Sequence, residues 1–147
     1  MAKSTRVSSQ LAASFAAKGL DIEEFVLDFD YWKSLPGVDR ETNIFGRDGA
    51  NRGSDFFRHV HIVPFNDLAA LRQWNRNASK GRANKSNRYL FYVDGGPAYG
   101  YLLLIVIDDS AVPNGSGGHQ IWDSENADLM VELNRLADDF FYNGKVP

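Results

Sequence analysis

The 147-residue sequence contains no cysteine. This absence excludes disulfide bonds and thiolate zinc sites, and it is compatible with a reducing compartment. Long apolar runs are also missing: the longest, Tyr99–Ile107, contains Gly100 and is far shorter than the ~20 residues of a membrane helix. The segment Met1–Lys18 lacks the continuous apolar stretch of a signal peptide. These absences predict a soluble, cytoplasmic protein without a membrane partner.

Positive charge is scarce overall but concentrated in one segment. The chain has 16 Lys and Arg residues against 19 Asp and Glu, a net charge of −3. Between Leu68 and Val93 every charged residue is basic, and Trp74 lies among them. Such groups bind phosphate, and an indole can stack on a base, so the segment predicts RNA binding; a solvated surface loop is the alternative. The residues concerned are Arg72, Trp74, Arg76, Lys80, Arg82, Lys85, Asn87 and Arg88.

The order of apolar patterns predicts an α+β fold. With 44% hydrophobic residues the chain can bury the core of one domain, residues 1–147. Helix signals come first, strand signals lie in the middle, and a helical stripe closes the chain. We expect helices over Ser8–Ala17 and from Asp21 to Pro36, an irregular connection over Val38–Asp55, a strand over Phe57–Pro64, a short helix from Asn66 or Asp67 to Trp74, strands over Tyr89–Val93 and Tyr99–Ile107 around a tight turn, and a helix from Ser124.

A histidine pair is the clearest candidate for chemistry. His59 and His61 are two residues apart, so on a strand their imidazoles point to the same face. Imidazole titrates near neutral pH, which suits an acid–base pair or a metal pair. Val63 occupies the position where a third strand ligand would lie, and two solvent-facing histidines are the alternative. Arg47 and Asp48 are a charged pair in a glycine-rich segment. Either the arginine binds phosphate or a partner's carboxylate, or the two charges bind each other or cap a turn.

Several motifs in one order resemble the YafO family of bacterial toxins. The resemblance runs from about Asp21 to Phe140. Its motifs are Ile44–Asp48, His59–Ile62, Leu71–Trp74, Leu90–Val93, Leu102–Ile107 and His119 before a terminal helix.

The resemblance implies both a fold and a function. Members are toxins of type II toxin–antitoxin pairs and ribosome-dependent mRNA endonucleases. They look like distant relatives of the RelE-type toxins, in which N-terminal helices and a C-terminal helix pack on an antiparallel sheet. The expected partners are therefore a cognate antitoxin, mRNA and the ribosome, with no metal and no cofactor. Residues 1–20 would be an additional N-terminal helix of this toxin-like domain.

The resemblance also implies a set of catalytic residues. His61 or His119 would act as general base or acid, Arg47 or Arg76 would stabilise the phosphate, and Tyr92 would stack on a base or form a hydrogen bond. The full set of matching positions is Arg47, Asp48, His59, His61, Tyr92 and His119.

The chain departs from the family pattern in three places. The connection from Asp48 to His59 is short, the 72–88 region is longer and more basic, and Ser86-Asn87 matches the family only in part. Two other functions stay open. One is a catalytically silent RNA- or protein-binding domain of the same fold, which the net charge favours, and the other is a small metal-dependent hydrolase that uses His59 and His61.

Overall fold

The computed structural model describes residues 4–36, 41–50, 54–63, 68–80, 88–108 and 127–147. Within these ranges strands and helices follow one another along the chain in ten elements. They are β1 Thr5–Val7, α1 Ser9–Ala17, α2 Ile22–Ser34, β2 Phe45–Ala50, β3 Phe57–Ile62, α3 Leu68–Ser79, β4 Arg88–Asp94, α4 Gly96–Tyr99, β5 Tyr101–Asp108 and α5 Ala127–Asn143.

The strands form a single five-stranded sheet in the order β1-β5-β4-β3-β2. Strands β2 to β5 pair antiparallel, with Arg58 opposite Tyr92 and Asp48 opposite Val60. Strand β1 pairs parallel to β5, with Arg6 opposite Leu102. The predicted α+β class is confirmed, and the sheet is mixed rather than wholly antiparallel.

Side-chain caps start the first two helices where the sequence predicted. The Ser8 hydroxyl accepts a hydrogen bond from the Leu11 amide at 3.1 Å and donates one to the Leu104 carbonyl at 2.6 Å. The Asp21 carboxylate accepts from the amides of Glu23 and Glu24. These bonds satisfy helix-terminal amides that lack intrahelical partners. Ser8 also ties α1 to β5, which places the first helix against the sheet.

Each face of the sheet carries its own core. Helices α1 and α2 cover one face, called here the α2 face, and α5 covers the other, the α5 face. The α2-face core contains Leu11, Phe15, Phe25, Phe29, Trp32, Phe45, Val60, Ile62, Leu90, Tyr92 and Leu103. The α5-face core contains Phe57, Tyr89, Phe91, Val93, Leu102, Leu104, Ile107, Leu133, Ala137 and Phe140.

Three connections differ from the sequence prediction. The segment expected to be irregular contains β2, whose register shifts between Phe45 and Asp48. Helix α3 continues past Trp74 to Ser79. The expected tight turn between β4 and β5 is the short helix α4, followed by Gly100 at φ +72°, where a Cβ would lie 2.1 Å from the Ser4 carbonyl oxygen. The predicted start of the last helix, Ser124, lies outside the described residues, and within them α5 begins at Ala127.

Along the described ranges no helix is both long enough and apolar enough to cross a bilayer.

Candidate functional site

The two histidines of β3 lie side by side on the α5 face. Their ring centroids are 6.5 Å apart, and both rings contact Tyr89, at 5.9 Å for His59 and 4.8 Å for His61. His59 is half-buried, whereas His61 is only 5% exposed. The prediction that both imidazoles point to the same face is confirmed. We call these two residues the imidazole pair.

His59 also reaches across to the neighbouring strand β2. It pairs with Gly49, and a Cβ at that glycine would lie 3.5 Å from His59 Cε1 and 3.6 Å from Nε2. These are ordinary van der Waals distances, so the imidazole lies against the backbone of β2. The half-buried ring is thus held between β2 and the aromatic side chains of β4.

A second polar group lies on the opposite face of the sheet. The Asp48 carboxylate accepts hydrogen bonds from Tyr92 Oη at 2.9 Å and from Arg58 Nη2 at 3.1 Å. Lys33 Nζ donates to Tyr92 Oη at 2.7 Å and lies 3.8 Å from Asp48 Oδ2. The four residues, which we call the Asp48 cluster, therefore join the end of α2 to β2, β3 and β4.

Burial and charge in this cluster fix the protonation of Tyr92. Burial, and then the negative charge of Asp48, raise the pKa of the Tyr92 hydroxyl well above 10.0, although Arg58 acts in the opposite direction. For Arg58, burial by itself lowers the pKa, but the Asp48 carboxylate and Tyr92 outweigh it and leave the pKa raised. Tyr92 therefore keeps its proton near neutral pH, where it serves as a hydrogen-bond donor and not as a base.

Lys33 is a member of the cluster that the sequence interpretation missed. Its side chain is 9% exposed, and Nζ lies 4.4 Å from the centroid of the Trp32 ring and 4.7 Å from that of Tyr92. A cation over aromatic faces is electrostatically stabilised. Arg58 was missed as well. Strand alternation could have shown that its side chain faces away from His59, and the structure places Arg58 opposite Tyr92.

Three described cations of the basic segment form a stripe along α3 and the residue that follows it. Arg72, Arg76 and Lys80 are exposed and follow one another at four-residue intervals, which puts them on one side of the helix. Trp74 lies on the other side: its indole is 1% exposed and Nε1 donates to the Asn43 carbonyl at 3.2 Å. The prediction that Trp74 stacks on a base is wrong, because the ring is buried. The three cations are called the basic stripe below.

The remaining predicted residues are only partly described. Arg88 is half-buried at the start of β4, and the backbone of Arg47 lies in β2 while its side chain is outside the described set. Arg82, Lys85, Asn87 and His119 lie outside the described residues.

Those predicted catalytic side chains that the structure describes divide between the two faces of the sheet. His59 and His61 lie on the α5 face, whereas Asp48 and Tyr92 lie on the α2 face. Because the sheet separates the two groups, one substrate phosphate cannot contact both. For proton transfer we favour the imidazole pair, because imidazole titrates near neutral pH whereas the raised pKa of Tyr92 keeps its hydroxyl protonated there.

Across the ranges that the structure describes, no group of three or more His, Cys, Asp or Glu side chains could hold a metal ion.

The sequence of the chain matches a known protein family. The family model described as "Toxin YafO, type II toxin-antitoxin system" matches residues 30–142, well over half of the chain. The chain belongs to this family. The match contains both the imidazole pair and the basic stripe, and it begins within α2. Neither a curated protein nor a solved structure matches the chain. As a member of the YafO family, it is a toxin of a type II system, which implies an antitoxin partner.

Proposed function

We propose that this YafO-family toxin is a ribosome-dependent mRNA endonuclease. The observation that carries the proposal is the imidazole pair, with ring centroids 6.5 Å apart, in a chain that belongs to a toxin family. RNA contains its own nucleophile, the 2′-hydroxyl group. The protein has to align that group, move two protons and stabilise negative charge on the phosphate.

The spacing of the pair suits proton transfer on both sides of one phosphate. One imidazole takes the proton of the 2′-hydroxyl, whose oxygen attacks phosphorus, and the other gives a proton to the departing 5′-oxygen. The products are a 2′,3′-cyclic phosphate and a 5′-hydroxyl end. Each nitrogen needs to lie about 3 Å from its oxygen, which ring centroids 6.5 Å apart permit. Of the two rings that this scheme brings to the phosphate, His59 is the more exposed.

The basic stripe supplies the binding surface in this proposal. Arg72, Arg76 and Lys80 are exposed, and steps of four residues along a helix separate them by about 6 Å. Guanidinium and ammonium groups so arranged can contact successive phosphates or the ribosome. The Asp48 cluster has a structural role instead, because hydrogen bonds link its side chains to one another and join α2 to the sheet.

The proposal is tested by His59→Ala, His61→Ala and the double variant. A single general acid–base group contributes about 10²–10⁴-fold, so each single variant should lose mRNA cleavage on purified ribosomes by at least the lower figure. Thermal melting would verify the fold, and Arg135→Ala, an exposed change on α5, serves as a control. If the folded double variant cleaves at the wild-type rate, proton transfer belongs to another group such as His119 or the ribosome.

A catalytically silent RNA- or protein-binding domain is the second candidate. The observation that favours it is the burial of His61, which is 5% exposed and packed against Tyr89. This candidate predicts that the wild-type protein binds ribosomes without producing cleaved mRNA. Mapping of mRNA 5′ ends after controlled expression distinguishes the two candidates directly.

A further inference from the structure

A groove runs along α2 on the face of the sheet opposite the imidazole pair. It consists of two cavities of about 230 and about 310 Å³, and Asp28 and Ile44 line both of them. The two cavities therefore adjoin each other at Asp28 and Ile44. The groove extends from Lys18, at the end of α1, to Leu35, at the end of α2. We call it the α2 groove.

The first cavity has an apolar floor. Phe15 and Phe25 line it from the helices, and Ile62 and Val106 line it from the sheet. Exposed apolar side chains lie along the groove: Leu20, at 45% exposure, lines the first cavity and Tyr31, at 62%, lines the second. Exposed apolar surface of this kind marks interaction sites, and a partner's apolar side chain would gain affinity by displacing water from it.

The charge along the groove changes from mixed to acidic. Lys18 and Arg88 line the first cavity together with Asp21, Glu24 and Asp28. The charged residues that line the second cavity are Asp28 and Glu41, both acidic. A phosphate backbone would be repelled by these carboxylates, whereas a lysine or arginine side chain would be attracted. The groove thus suits a protein segment and not RNA.

We propose that the α2 groove is a docking site for the antitoxin, and that it binds a segment in which apolar residues lie next to basic ones. The apolar side chains enter the first cavity between Phe15 and Ile62, and the basic side chains lie over Asp28 and Glu41. The proposal rests on the antitoxin partner that the family implies and is independent of the nuclease chemistry. We expect substitutions in the groove to leave the toxin's own activity in place, because the groove and the imidazole pair lie on opposite faces of the sheet.

The test measures binding of the purified full-length chain to the protein encoded by the adjoining reading frame, by isothermal titration calorimetry. Asp28→Lys, in the groove, is compared with Glu23→Lys, which makes the same charge change on the same helix outside both cavities. Leu20→Ser is compared with Leu27→Ser, an exposed leucine of α2 that lines neither cavity. The groove variants should bind at least about tenfold more weakly, and the controls should bind as the wild type does.

Two further measurements keep the result decisive. First, hydrogen exchange in the complex should show protection of α2 residues 22–34. Second, Asp28→Asn is measured in place of Asp28→Lys if the latter variant does not fold. Equal affinities for groove and control variants, or an α2 that exchanges as in the free protein, would overturn the proposal. Growth arrest by the groove variants, and mRNA cleavage by the wild type, are measured separately without antitoxin. Absence of cleavage would refute the proposed function, but it would not change the measured affinities for the antitoxin.

Discussion

Replacing Tyr92 with phenylalanine removes one hydroxyl from the centre of the Asp48 cluster. That oxygen donates to Asp48 at 2.9 Å and accepts from Lys33 at 2.7 Å and Arg58 at 3.3 Å. Hydrogen bonds to charged groups contribute about 1.5–3 kcal/mol each, but the effects do not add, because Asp48 keeps its bond to Arg58. We expect a loss of about 2–4 kcal/mol in the free energy of unfolding.

Denaturant and thermal unfolding both measure this loss. For a chain of this length it corresponds to a fall in Tm of roughly 6–12 °C. Tyr142→Phe is the matched control, because Tyr142 is 66% exposed and its change should stay within about 0.5 kcal/mol. A Tyr92→Phe protein that unfolds within the same margin would refute the conclusion that the cluster stabilises the fold.

Tyr92→Phe should also change how the free energy of unfolding depends on pH. The folded protein raises the pKa of Tyr92 well above 10.0, so it holds this proton after an unfolded chain would have released it. The stabilising contribution is therefore complete below about pH 10 and is lost as the pH rises above that value. One proton gives a slope of up to about 1.4 kcal/mol per pH unit. The wild-type stability should fall more steeply than that of Tyr92→Phe in this alkaline range, and parallel curves would contradict the assignment.

Two further predictions concern α3 and separate its buried side from its exposed side. Trp74→Ala should lower the free energy of unfolding by about 3–5 kcal/mol, because the indole is 1% exposed and donates a hydrogen bond to Asn43. Urea unfolding measures this loss, and a wild-type midpoint would contradict the prediction. The triple variant Arg72→Ala, Arg76→Ala and Lys80→Ala should keep the wild-type midpoint but bind RNA or ribosomes more weakly, with a flatter salt dependence in filter binding. Unchanged affinity and salt slope would show that the stripe is solvated and makes no RNA contact.

Local signals in the sequence located the first two helices correctly. Ser8 and Asp21 are capping residues whose side-chain oxygens bond to amides two or three residues ahead, so the helix starts depend on neighbouring residues alone. The long apolar strands β4 and β5 were recognised for a similar reason, since apolar β-forming residues dominate both.

The strands that the sequence interpretation missed depend on distant partners. Strand β2 contains two glycines and a charged pair, with no apolar alternation, and it is ordered by pairing with β3. Strand β1 is three residues long and is defined by its parallel pairing with β5, almost a hundred residues away. Such pairings provide backbone hydrogen-bond partners that no local pattern reveals.

The sequence by itself determined the α+β class and the shared direction of His59 and His61, because side-chain alternation and capping act over a few residues. The order of its motifs indicated the family. Only the tertiary structure decided which residues meet. It buried Trp74 and gathered Lys33, Asp48, Arg58 and Tyr92 on the face of the sheet away from the histidines. The physical reason is that strand register and helix packing set these distances, and both depend on contacts between segments far apart in the chain.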